Sequence, residues 1–146
     1  MSIKKYRQQL KKSCTGGDGI PDIIKEVPVI FDTLEQLIKD EDIGSENRKM
    51  IFCAIGYFFI PDDLFPEEKL GQIGYIDDVI LALCVFELIE SDSLSKQSLK
   101  RAWRLNDDIE TVLTEQLPRL KKEYRNEYIT VTEHVGLYPE YLADID

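Results

Sequence analysis

Six carboxylates, those of Asp62, Asp63, Glu67, Glu68, Asp77 and Asp78, crowd the stretch AIGYFFIPDDLFPEEKLGQIGYIDDVILAL at residues 54–83, between two apolar runs that each ask for burial. Hard divalent cations prefer clustered carboxylate oxygens, so Asp63, Asp77 and Asp78 are candidate ligands of magnesium, calcium or manganese. The same groups could act as general acid and base, provided a cleft and a shifted pKa accompany them. The third use is structural. Asp62 and Asp63 can start a new turn after Pro61. Asp77 and Asp78 fall in the first turn of the next helix, where unpaired N–H groups and the helix dipole favour negative charge. Spacing alone leaves all three uses open, although the metal reading lacks the ligand spacing of an EF-hand loop.

Two helices must position these groups. If the apolar runs pack as an antiparallel hairpin, the end of one lies beside the start of the other and both aspartate pairs converge there. Two carboxylates ~6 Å apart repel by roughly 3 kcal/mol at an effective dielectric of 20, so the cluster asks for a cation or a base. Arg48 sits about 18 Å from Ile60 along its helix, too far to serve. Lys69, Lys100, Arg101 and Arg104 are the better candidates.

Other chemistry is thin. His134 is the sole histidine, which leaves a zinc centre without a second imidazole, and Cys14, Cys53 and Cys84 share no ligand spacing. GGDG at residues 16–19 lacks the lysine and the serine or threonine of a phosphate-binding loop and reads as a link.

No stretch alternates apolar and polar residues long enough for a sheet, and the expected fold class is all-α: a compact helical bundle around a central antiparallel hairpin. Ile3, Tyr6 and Leu10 mark a short basic amphipathic helix over residues 2–12. Pro21 opens a second segment, and Pro28 should restart it before a stripe of Ile30, Leu34, Leu37 and Ile38. Ser45 is the expected N-cap of a helix over 46–60 that ends at Pro61, and a helix over 73–90 is apolar around most of its circumference. Ser95 is the expected cap of the next helix, with Leu94 and Leu99 as a staple, and Asp107 with Glu110 resembles a capping box for a last helix that Pro118 should bend or interrupt. The acidic, aromatic segment 130–146 contains Gly136 and Pro139.

Tyr57, Pro61, Asp63, Leu64, Pro66, Gly74, Tyr75, Asp77 and Asp78 occur in an order that resembles the signature of the YkvA-like family, a bacterial helical domain of unknown function. The resemblance spans residues 54–88 and implies a small helical hairpin, often assumed to be membrane-associated in relatives, with no established activity. It supplies no mechanism. The polar connector EEKLGQ departs from the pattern, being about one residue longer.

At 146 residues the chain fits a single helical domain over 1–146, with its hairpin core at about 46–90. A formal charge of −10 argues against a general affinity for nucleic acid or anionic lipid. The odd cysteine count and the lack of an apolar segment after the basic N-terminus point to the cytoplasm. No apolar run reaches the ~18 residues of a spanning helix. The expected function is a non-enzymatic interaction or accessory role with another protein as partner. A metal-dependent enzyme using Asp63, Asp77 and Asp78 is the first alternative. A peripheral membrane factor using residues 3–12 and the hairpin is the second.

Overall fold

The computed structural model describes residues 2–59, 71–104 and 108–137. Among these residues the protein is all-α, with no strand. Helix α1 (Ile3–Ser13) starts at Ser2, whose hydroxyl accepts the Lys5 N–H, and buries Tyr6 and Leu10. A 3-10 turn (Asp22–Glu26) leads into α2 (Val27–Lys39), with Pro28 in its first turn. The restart at Pro28 follows from chemistry: in the first turn its missing N–H has no intrahelical acceptor to lose. Val27, Ile30, Phe31, Leu34 and Leu37 form the buried stripe, and Ile38 stands at its partly buried margin.

Helix α3 (Ser45–Phe59) begins one residue earlier than expected, since the carbonyl of Gly44 accepts the Arg48 N–H. After a 3-10 turn (Gly71–Tyr75) comes α4 (Ile76–Glu90), in which every residue from Ile76 to Phe86 is buried. Helix α5 (Ser93–Ala102) follows, then a single α-turn α6 (Ile109–Thr111), a π-helical turn (Val112–Gln116), α7 (Leu117–Glu123) and α8 (Arg125–His134). Helix α4 is the hub and packs on α2, α3, α5, α7 and α8. Its uniform apolarity thus has the expected cause: neighbours surround it. Trp103 sets its ring edge-on to Phe86 of α4 at 6.2 Å and helps cover the centre.

Two caps differ from expectation. Asp92, not Ser95, caps α5 by accepting the Ser95 N–H, and Leu94 is 56% exposed, so no staple forms with Leu99. Ser95 is instead buried, with its hydroxyl donating to Asp92 at 2.6 Å and accepting from the Asn47 amide at 3.1 Å. Tertiary contact overrides the local motif there. At α6 the cap is Asp108, which accepts from Glu110 N; Asp107 lies outside the described residues. The interruption expected at Pro118 lies just upstream of it, as a π-turn that closes with the Leu117 N–H on the Val112 carbonyl. Widening that turn accommodates a residue that has no N–H and whose ring crowds the carbonyl four residues back.

Arg48 holds the junction of α2 and α3. Its guanidinium donates to the carbonyls of Ile38, Asp40 (2.9 Å) and Ile43 (3.0 Å), satisfying acceptors that the end of α2 leaves open. In the same turn the Asp42 N–H, ahead of Ser98 and Arg101, holds the Asp40 carboxyl below its ordinary 3.8. Its contribution to stability is therefore present above that value and lost as pH falls through the lower folded one. Arg48→Lys keeps the charge but not the planar fork that spans three carbonyls, and should cost about 1.5–3 kcal/mol in urea unfolding. A loss below about 0.5 kcal/mol would show that water replaces the fork.

Candidate functional site

Helices α3 and α4 run antiparallel, so the last turns of α3 stand beside the first turn of α4. The side chains there are buried: Tyr57 is 2% exposed, Asp77 0% and Asp78 3%. The Tyr57 hydroxyl donates to Asp77 Oδ2 at 2.7 Å, a short bond between two buried side chains. His134 at the end of α8 meets the Tyr57 ring edge-on at 6.3 Å, which ties a third helix to this end of the hairpin.

Of the predicted carboxylates, Asp77 and Asp78 thus lie where the hairpin argument places them, in the first turn of α4, although no side chain caps that helix and Tyr75 is its N-cap. Asp63 lies outside the described residues, as do Pro61, Asp62, Glu67, Glu68 and Lys69. Among the described residues no three histidine, cysteine or acidic side chains form a group able to hold a metal ion. Lys100 and Arg101, two candidate counter-charges, are engaged elsewhere: Lys100 with Glu110 at 3.3 Å, and Arg101 with Asp40 and Asp42 at 3.1 and 3.2 Å.

Two clefts lie among the described residues, both away from the doublet. One of about 440 Å³ lies between the first 3-10 turn and the π-turn, with Asp22, Glu26, Glu115, Glu123 and Arg119 around it. Another of about 310 Å³ lies by Asp40, Ser98 and Arg101. Neither is lined by Asp77 or Asp78. The GGDG segment behaves as a link, pinned where the Gly16 N–H and carbonyl meet the Gln72 amide at 2.8 and 3.1 Å.

A feature the sequence argument missed lies on the other side of α3. The apolar run from Ile51 was read as core, yet Phe52 is 55% and Phe59 37% exposed. At about 100° per residue, Ser45, Lys49, Phe52, Gly56 and Phe59 share one face, opposite the buried Ile51, Ala54, Tyr57 and Phe58. All five of those face residues are exposed. A Cβ placed on Gly56 would meet nothing within 4 Å, so the middle of the face is open. Helix α1 borders its C-terminal end: the Tyr6 ring lies 4.4 Å from Phe59 and its hydroxyl donates to the Phe58 carbonyl at 2.7 Å. Gly56→Ala should raise stability by about 0.5–1 kcal/mol, since a mid-helix glycine loses that much relative to alanine and the methyl has room. A lower melting temperature for that variant would mean the face is already covered in the isolated chain.

The architecture is that of an all-helical protein built on an α-hairpin with a buried tyrosine and aspartate doublet at one end and an uncovered apolar face beside it. Residues 47–84, which hold both features, match the model of a family described as "Protein of unknown function (DUF1232)". The chain is also 27% identical, over 116 residues, to "Uncharacterized protein ORF9" of Methanothermobacter thermautotrophicus, a match covering 80% of this chain and 79% of that protein. No solved structure matches the chain.

Proposed function

We propose that this chain is a non-enzymatic interaction protein of the reducing cytoplasm, of the YkvA-like kind, whose working face is the exposed side of α3. The observation that carries this reading is the open stripe of Phe52, Gly56 and Phe59 on a helix whose other side is fully engaged in the core. Exposed aromatic side chains around a residue without a Cβ give a partner helix both apolar area and close backbone approach. Asp77, Asp78 and Tyr57 act in this reading as internal support that fixes the hairpin: all three are buried, and the Tyr57 hydroxyl of α3 donates to Asp77 of α4. The partner is a protein surface, in keeping with a chain of formal charge −10 that has little attraction for nucleic acid. Three cysteines without a disulfide suit that compartment.

The test compares immobilised wild-type chain with Gly56→Arg and Phe52→Asp in extract of the source cells. Both substitutions sit on open surface, so their melting temperatures should stay near wild type. A specific protein held by the wild type and released by both variants supports the reading; retention unchanged by either substitution overturns it. Titration of chelated protein with magnesium, calcium or manganese should leave the melting temperature in place, and a rise with saturating metal would favour the metal-dependent alternative instead.

A further inference from the structure

We infer that the cleft between the C-terminal ends of α2 and α5 is an anion site, and that its ligand is a phosphate group carried by a small molecule, of which inorganic pyrophosphate is the simplest. The site is separate from the exposed face of α3 and goes beyond the interaction reading.

Two packed helices build it. Gln36 and Lys39 stand one turn apart on α2, and Ser98 and Arg101 one turn apart on α5, so each pair projects from one side of its helix. Ala102, small and buried, lies between them in the lining. Trp103 then leaves the helix in an extended conformation (φ −74°, ψ 117°) with its ring set against Phe86, and Arg104 follows it into the wall of the cleft.

Charge singles this hollow out. In a chain of 28 acidic and 18 basic residues, the charged side chains lining it are the three cations Lys39, Arg101 and Arg104 against the single carboxylate of Asp40. The larger cleft has the opposite balance, four carboxylates to Arg119. Asp40 is already satisfied within its own turn: Oδ1 accepts the Asp42 N–H at 2.9 Å and Oδ2 the Arg101 guanidinium at 3.1 Å. Arg101 is thereby held in place. Its bonds to Asp40, Asp42 and Ser98 all run through Nη2, which leaves Nη1 and Nε of the fork for a ligand. Lys39 and Arg104 are exposed, and neither pairs with a carboxylate among the described residues. Arg48 takes up the open carbonyls of Ile38 and Asp40 at the end of α2, which offsets the negative pole that a helix C-terminus would otherwise turn toward an anion.

A phosphate dianion can accept from all three cations at once, with Asp40 and Asp42 serving as positioning residues for Arg101. The formal charge of −10 opposes any anion at long range, but at physiological ionic strength that field is screened beyond ~8 Å, so the groups in the wall decide. No aromatic side chain is among the described lining residues, so a nucleobase has no platform to stack on and the phosphates alone are read.

Isothermal titration of the full chain with pyrophosphate, in buffer free of phosphate, is the test. The wild type should bind saturably, and ADP should bind within about threefold of pyrophosphate. Lys39→Gln and Arg104→Gln should each raise the dissociation constant about tenfold without lowering the melting temperature, since neither side chain is paired within the fold. Arg101→Lys keeps the charge but loses the fork and should weaken binding by about as much. Lys122→Gln removes the same charge from an exposed position on α7 and should bind like the wild type. No saturable binding up to about 10 mM pyrophosphate overturns the inference. Equal weakening by Lys122→Gln and Arg104→Gln also overturns it, by showing that overall charge and not a site attracts the anion. An ADP affinity more than about tenfold above that of pyrophosphate overturns the assigned ligand class, because the base would then be read.

Discussion

Tyr57→Phe should lower the unfolding free energy by about 1.5–3 kcal/mol and the melting temperature by about 4–9 °C, although it removes one oxygen and disturbs no packing. That oxygen donates to Asp77 at 2.7 Å, and Asp77 has no exposed surface. Withdrawing the donor leaves the carboxylate to carry more of its desolvation cost, a penalty larger than the net worth of an ordinary hydrogen bond. Asp77→Asn keeps an acceptor for the hydroxyl and should cost less than Tyr57→Phe. The double variant should cost less than the sum of the single ones, because both changes act on the same bond. Differential scanning calorimetry decides the matter. A Tyr57→Phe protein within about 0.5 kcal/mol of wild type would show that this bond does not hold the hairpin.

Phe31→Ala is expected to be more severe, at about 3–5 kcal/mol, enough to leave a marginal domain partly unfolded at ambient temperature. Phe31 is fully buried in α2, and its ring meets those of Tyr6, Phe58 and Phe59 at 5.2, 5.4 and 5.8 Å, so one truncation empties the junction of α1, α2 and α3. These elements are helices with their own backbone bonds and cannot collapse far into the space, which keeps the cavity term large. Phe31→Leu refills most of the volume and should recover more than half of the loss. Chemical unfolding monitored by circular dichroism gives both values, and equal costs for alanine and leucine would mean that ring contacts rather than volume hold the junction.

Much of this fold was legible in the residues. The spacing of Ile30, Leu34 and Leu37, the punctuation by Pro21 and Pro28, and the all-round apolarity of residues 76–90 lead to the observed helices because burial follows helical period wherever one face is wet. Asp77 and Asp78 could be placed at a helix start, where the dipole favours negative charge, and the structure has both in the first turn of α4. What α3 would expose was not legible. Ile51, Phe52, Ala54, Ile55, Tyr57, Phe58 and Phe59 surround its axis with little contrast, so hydropathy could not select the face that its neighbours leave open. Asp92 and Ser95 are both good cap residues, and the choice between them depends on Asn47, which is distant in sequence. The π-turn before Pro118 was foreseen only as an interruption, since proline chemistry specifies a lost donor but not how the backbone absorbs it.

The enclosure of α4 on every side also has a cost in specification. A cylinder greasy all the way round can spin in its socket with little change in transfer free energy, so oiliness alone gives it no heading. The Tyr57 phenol gripping Asp77 works as a detent, penalising every azimuth but one and thereby aligning all the side chains that α4 sends to its five neighbours.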